Sequence, residues 1–144
     1  MSEGLVNALK KGTVAVLGTF SEKGLPHTTP IQTLYPKGNE SILISLHKDI
    51  EGYHNLVWQK KVMISIMEEN DICCSILARA GVVRAPSQVH PLMNIVRLDV
   101  IEIVNNQSPF MVYEKGIQWS YRSLECQEIS EALIEELKEL AVTL

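Results

Sequence analysis

Two short polar stretches hold the residues best suited to chemistry. The first is His27, Thr28, Thr29 and Gln32, set around Pro30; the second is His47 with Lys48. Hydroxyl, amide and imidazole groups beside a proline-made irregularity can present donors and acceptors to a polar ligand. The same residues would also suit the wet face of an antiparallel sheet. Lys48 stands just before a helix start, where unpaired backbone N–H groups favour an anion; a solvated turn is the competing reading. Arg79 and Arg84 flank Gly81 and could pair with an anionic group, or simply lie on the surface.

Other chemistries are poorly served. The four histidines, at 27, 47, 54 and 90, fall in separate segments without metal-ligand spacing, and Ser41, Ser45 and Ser65 lack the glycines of a nucleophile elbow. Neither a glycine-rich dinucleotide fingerprint nor a Gly-Lys-Ser/Thr phosphate loop is present, which disfavours NAD and ATP chemistry. Cys73, Cys74 and Cys126 are odd in number, and the adjacent pair is poorly placed for a mutual disulfide. They read as reduced thiols in or near the core.

The elements that position these residues follow from periodicity. Ser2 caps a leading helix with Leu5, Val6 and Leu9 on one face, and Gly12 stops it. Thr13–Phe20 is a β-branched and aromatic strand ending at the turn sequence SEKGLP. His27–Tyr35 is read as one second strand, and Pro30 confines it to an edge or a bulge. After a turn at Pro36–Glu40, Ser41–Leu46 is a third strand apolar enough to be buried on both faces. The period then changes to helical. Ile50, Tyr53, Leu56 and Val57 form a stripe with Asp49 as N-cap, and Trp58 is a partly buried anchor against the sheet.

Val62–Met67, Ser75–Arg84 and Asn94–Ile103 supply further strands, separated by loops at 68–72 and 84–91 and followed by another at 105–109. GIQWSY (116–121) is a possible last strand with Trp119 and Tyr121 on one side. Glu125–Ala141 closes the chain as a helix carrying Ile129, Ala132, Leu133, Leu137 and Leu140. The plan is α+β: a six- to seven-stranded antiparallel split β-barrel with flanking helices, in one domain whose core spans about 10–105.

The succession of strand, Gly-containing turn, "PH" start of the next strand, Pro30, third strand and a helix carrying Asn55-Leu56 resembles the FMN-binding split-barrel family related to pyridoxamine 5′-phosphate oxidase. That resemblance implies a homodimer holding FMN in a groove between subunits, as an oxidoreductase whose substrate the sequence does not specify. It directs attention to Thr28, Thr29, Pro30 and Ile31 beside the flavin ring, and to Ser45, His47, Lys48 and Asn55 around the end of the third strand. One departure stands out. Ungapped alignment on Asn55 and Leu56 puts Ile50, Glu51 and Gly52 where the family carries Ser, Arg and Lys. The alternative is therefore a non-catalytic split-barrel dimer, ligand-binding or structural, that has lost the flavin phosphate site. Haem would need an axial ligand such as His27, His47 or His90.

Composition sets the remaining limits. The 144 residues are 46% hydrophobic and 21% charged, enough for a folded core. A formal charge of −4 with scattered basic residues argues against nucleic acid. The doublets at Lys10-Lys11 and Lys60-Lys61 sit near expected helix ends, where cations suit the macrodipole. No apolar run reaches membrane-span length, and the expected location is cytoplasmic.

Overall fold

The computed structural model describes residues 1–144. Helix α1 (Glu3–Lys11) is followed by strands β1 (Ala15–Phe20), β2 (Pro26–Ile31), β3 (Leu34–Lys37) and β4 (Ser41–His47). Helix α2 (Glu51–Trp58) precedes three longer strands, β5 (Lys61–Glu68), β6 (Ile72–Arg84) and β7 (Met93–Asn105), and α3 (Leu124–Thr143) ends the chain. No helix is long and apolar enough to cross a membrane.

All seven strands form one antiparallel sheet in the order β2-β1-β5-β6-β7-β4-β3. The strands at its two ends, β2 and β3, are joined by only Gln32 and Thr33. Two residues reach about 7 Å, so the sheet must curl until its edges meet. The expected single strand His27–Tyr35 is thus two strands. Pro26–Ile31 pairs with β1, after which the chain crosses the seam so that Leu34–Lys37 pairs with β4. The Ser45 N–H donates to the Thr33 carbonyl at 3.0 Å, extending the β3–β4 ladder by one pair toward the seam. Pro30, on the edge strand β2, removes a donor that no further strand requires.

β4 shows why the barrel is closed on both faces. Ile42, Ile44 and Leu46 join the interior cluster with Leu17, Ile64, Ile76 and Leu98. Leu43 faces the other way, against Ile95, Leu137 and Leu140 under α3. α1 contributes Leu5 and Leu9 to the interior, with the Ser2 hydroxyl accepting from Leu5 N as its cap and Gly12 at its C-terminus.

Several expectations need correction. Asp49 does not cap α2; Ile50 occupies that position and offers no side-chain acceptor. The buried stripe of this helix is Gly52, Asn55 and Leu56, while Val57 and Trp58 are exposed. Asn55 belongs to the buried stripe because it donates to the Thr19 hydroxyl on β1 at 3.1 Å.

GIQWSY forms no strand. The Gly116 N–H donates to Glu68 Oε1 at 3.0 Å and Tyr113 N to Asp71 Oδ1 at 3.0 Å, so side-chain carboxylates, not a ladder, satisfy this strap. Cys73 and Cys74 are buried free thiols, and burial, then the neighbouring Cys73, pushes the Cys74 thiol up; Cys126 is exposed.

Candidate functional site

The seam between β2, β3 and β4 opens into a cleft of about 150 Å³ lined by Thr29, Pro30, Ile31, Gln32, Thr33, Ser45 and His47, with Leu46, Ile50 and Met93 completing it. Five of the eight expected cofactor residues are thereby gathered. Thr28 is exposed and pairs across from Gly18, so it faces away from the cleft-lining set. Asn55 is committed to Thr19 and ties α2 to β1. Lys48 is exposed, its backbone N–H bonded to the Leu92 carbonyl and its ammonium free of any ion pair.

Two hydroxyls in the cleft are unusual. Thr29 Oγ1 and Ser45 Oγ are buried and have no hydrogen-bond partner, although a buried hydroxyl without one costs about 1–3 kcal/mol. Both flank the point where the chain changes sheet edge, so barrel closure sets their positions. Polar atoms held this way are complementary to a ligand's polar edge.

α2 begins beside the cleft. Its Ile50 cap leaves the first-turn N–H groups without a side-chain acceptor. Glu51, the residue that would oppose an anion there, is well exposed and lies 3.6 Å from His27 Nδ1 on β2. Gly52 is packed: a Cβ on it would meet Thr29 Oγ1 at 2.7 Å. A side chain at position 52 therefore requires the Thr29 hydroxyl to move.

This contact makes a prediction. Gly52→Ala gains about 0.5–1 kcal/mol of helix propensity but must rotate the Thr29 side chain, at about 0.5–1.5 kcal/mol. Thermal unfolding should register a net change under about 1 kcal/mol, while any ligand held by the Thr29 hydroxyl is bound more weakly. A loss beyond about 2 kcal/mol would mean that the backbone, rather than a hydroxyl, has to move.

Sharing Gln32, Thr33, His47 and Met93 with the cleft is a second cavity of about 570 Å³. Its other walls are Val14, His90, the strap residues Ile117 and 119–122, and the first turns of α3. Trp119 and Tyr121 meet edge to face, with ring centres 4.9 Å apart. Thr33, Met93, Ser120 and Arg122 escaped the sequence reading. Thr33 directly follows the polar set on β2, a signal that was available; Arg122 is brought in only by the strap. No group of three His, Cys, Asp or Glu side chains is gathered as a metal centre requires.

No family model matches the chain, and no curated protein matches it by sequence. Solved structures do match. A protein from Lactobacillus delbrueckii described as a putative pyridoxamine 5′-phosphate oxidase is 20% identical with TM-score 0.62, covering 72% of this chain and 93% of its own. HupZ from Group A Streptococcus is 12% identical with TM-score 0.65, over 82% and 99% of the two chains. The styrene monooxygenase flavin reductase of Pseudomonas putida S12 is 13% identical with TM-score 0.53, over 68% and 82%. At these identities the likeness is one of fold, and the fold is the split barrel of the pyridoxamine 5′-phosphate oxidase-like proteins.

Proposed function

We propose that the chain binds FMN along the β2–β4 seam and acts as a flavin-dependent oxidoreductase. The observation that carries this reading is the pair of partnerless buried hydroxyls, Thr29 Oγ1 and Ser45 Oγ, in the cleft at the seam. They fit the polar edge of a flavin ring, and a cleft of about 150 Å³ takes such an edge while the rest extends into the adjoining space. When bound, the flavin supplies the hydride chemistry; the chain orients the ring and limits access of water to it.

The phosphate end falls to the β4–α2 junction. Lys48 has a free ammonium, and the α2 N-terminus has uncapped N–H groups. His47 Nδ1 accepts from Asp49 N at 3.1 Å, which leaves its Nε2 to carry the proton in the neutral ring. Together they can hold an anion without a basic residue at 51 or 52, and the solvent exposure of Glu51 screens its repulsion.

FMN titration tests the reading. Fluorescence quenching and visible absorbance that survive desalting are expected. Lys48→Ala should weaken binding by about 1.5–3 kcal/mol, a factor of roughly 10 to 150. Protein that stays colourless and leaves FMN fluorescence unquenched overturns it.

The second reading is a non-catalytic split-barrel dimer. Its support is specific: Glu51 and Gly52 replace basic residues, and Gly52 packs against the Thr29 hydroxyl. Either reading gives the exposed apolar side chains of β7 (Ile101, Ile103, Val104) and of the strap (Phe110, Met111, Val112) to a second copy of the chain. Sedimentation velocity should then report a dimer.

A further inference from the structure

We propose that the cavity of about 570 Å³ beside the cleft is a site for a small organic anion, a carboxylate on an aromatic or apolar body. Its role as the flavin's reaction partner rests on the flavin reading of the cleft. The anion chemistry is carried by the cavity's own walls.

The lining is the first argument. The chain has 17 acidic residues against 13 basic ones, yet none of the cavity's 15 lining residues is Asp or Glu. Arg122, His47 and His90 all line it. Arg122 makes no ion pair or hydrogen bond with another side chain, so its guanidinium is uncommitted.

Both histidines are held in one tautomer. Asp49 N donates to His47 Nδ1 at 3.1 Å, and Leu92 N donates to His90 Nδ1 at 3.2 Å. With Nδ1 accepting, the neutral ring carries its proton on Nε2. The His90 imidazole therefore enters the lining with an N–H still to give, while that of His47 is the one assigned to the flavin phosphate. Ser120 and Ser130 add hydroxyls.

The rest of the wall is apolar. Ile117, Ile129, Leu133, Met93 and Val14 line it, and the Trp119–Tyr121 pair supplies an aromatic face. The lining thus offers contacts for a planar or apolar body together with donors for a negative group. One permanent cation with neutral N–H donors balances a monoanion better than a phosphate dianion, which needs more fixed charge. The shared residues Gln32, Thr33, His47 and Met93 put such a ligand against whatever fills the cleft.

Calorimetric titration with 2-naphthoate and with its neutral counterpart 2-naphthamide tests the proposal, with FMN titrated in parallel and folding checked by circular dichroism. Naphthoate should bind at least about tenfold more tightly than the amide. Arg122→Gln and His90→Gln should each weaken naphthoate about tenfold while leaving the amide unchanged, and Trp119→Ala should weaken both. FMN affinity should be unaltered in Arg122→Gln.

Equal affinities for the two probes, no binding of either, or naphthoate binding indifferent to Arg122→Gln would each overturn the anion site. Discrimination between the probes without FMN binding supports the site and defeats only the flavin reading. FMN binding without discrimination does the reverse.

Discussion

Replacing Glu136 with alanine is expected to lower the unfolding free energy by about 3 kcal/mol. Its carboxylate is 4% exposed and collects three donors: Arg84 Nη1 at 2.9 Å, the Gln88 N–H at 2.8 Å and the Ser87 hydroxyl. Truncation strands the buried Ser87 hydroxyl, the Gln88 N–H and a guanidinium whose side chain is only 29% exposed. Residual solvent access at Arg84 keeps the loss toward the lower end of the range for broken buried pairs. A urea-denaturation difference under about 1 kcal/mol would mean that water replaces the carboxylate without penalty.

The same cluster has a pH signature. Burial pushes the Glu136 carboxyl up, but hydrogen bonds from Ser87, Gln88 N and Arg84, with the charge of Arg84, outweigh it and hold the carboxyl below its ordinary 4.5. A carboxyl held lower in the folded state stabilises above its unfolded value and loses that contribution as pH falls through the folded one. Acid unfolding should therefore contain a component below about pH 4.5 that Glu136→Gln lacks. Because α3 grips the 84–92 segment through this residue, Glu136→Ala should also loosen the wall that carries His90.

Glu136 was missed, although its signal was legible in the sequence. Leu133, Glu136, Leu137 and Leu140 fall at i, i+3, i+4 and i+7, so an acid on the apolar stripe of the last helix implied a buried charge needing a cation. Its partner was not, since Arg84 lies 52 positions away and only the return of α3 to the outer face of β4 joins them. β4 itself was plain, because six consecutive residues that bury both faces leave little else for SILISL to be.

The failures share a cause. Gln32 and Thr33 carry no turn chemistry; the chain leaves one strand partner for another there because the barrel's edges meet, which is a tertiary event. Asp49 suits a cap by type, yet the β4 exit turn uses its N–H on His47 and delays the helix to Glu51. The alternation in GIQWSY was genuine, but Glu68 and Asp71 bind the strap's backbone before a ladder can. In the site, residue types gave the polar set on β2 and at the end of β4, whereas the fold decided that Thr28 and Asn55 point elsewhere.

The two cleft hydroxyls should behave in opposite ways toward stability and toward ligand. Ser45 is 4% exposed and its Oγ has no partner, so Ser45→Ala removes an unmet polar atom and opens only a one-atom void. Relief of about 1 kcal/mol is expected in the ligand-free protein. Thr29→Val is nearly isosteric, but its new methyl presses on Gly52 where the hydroxyl now sits, so its gain should be smaller. The pair lines one cleft, which makes their sum non-additive by a few tenths of a kcal/mol or more. FMN affinity should move the other way. Two neutral hydrogen bonds at about 0.5–1.5 kcal/mol each predict a loss of about 5- to 150-fold in the double variant. A more stable protein that binds flavin less well is the pattern of polar groups kept for a ligand at the expense of the fold. A destabilised double variant would instead mean that ordered water satisfies both hydroxyls, and unchanged FMN affinity would remove the flavin from this cleft.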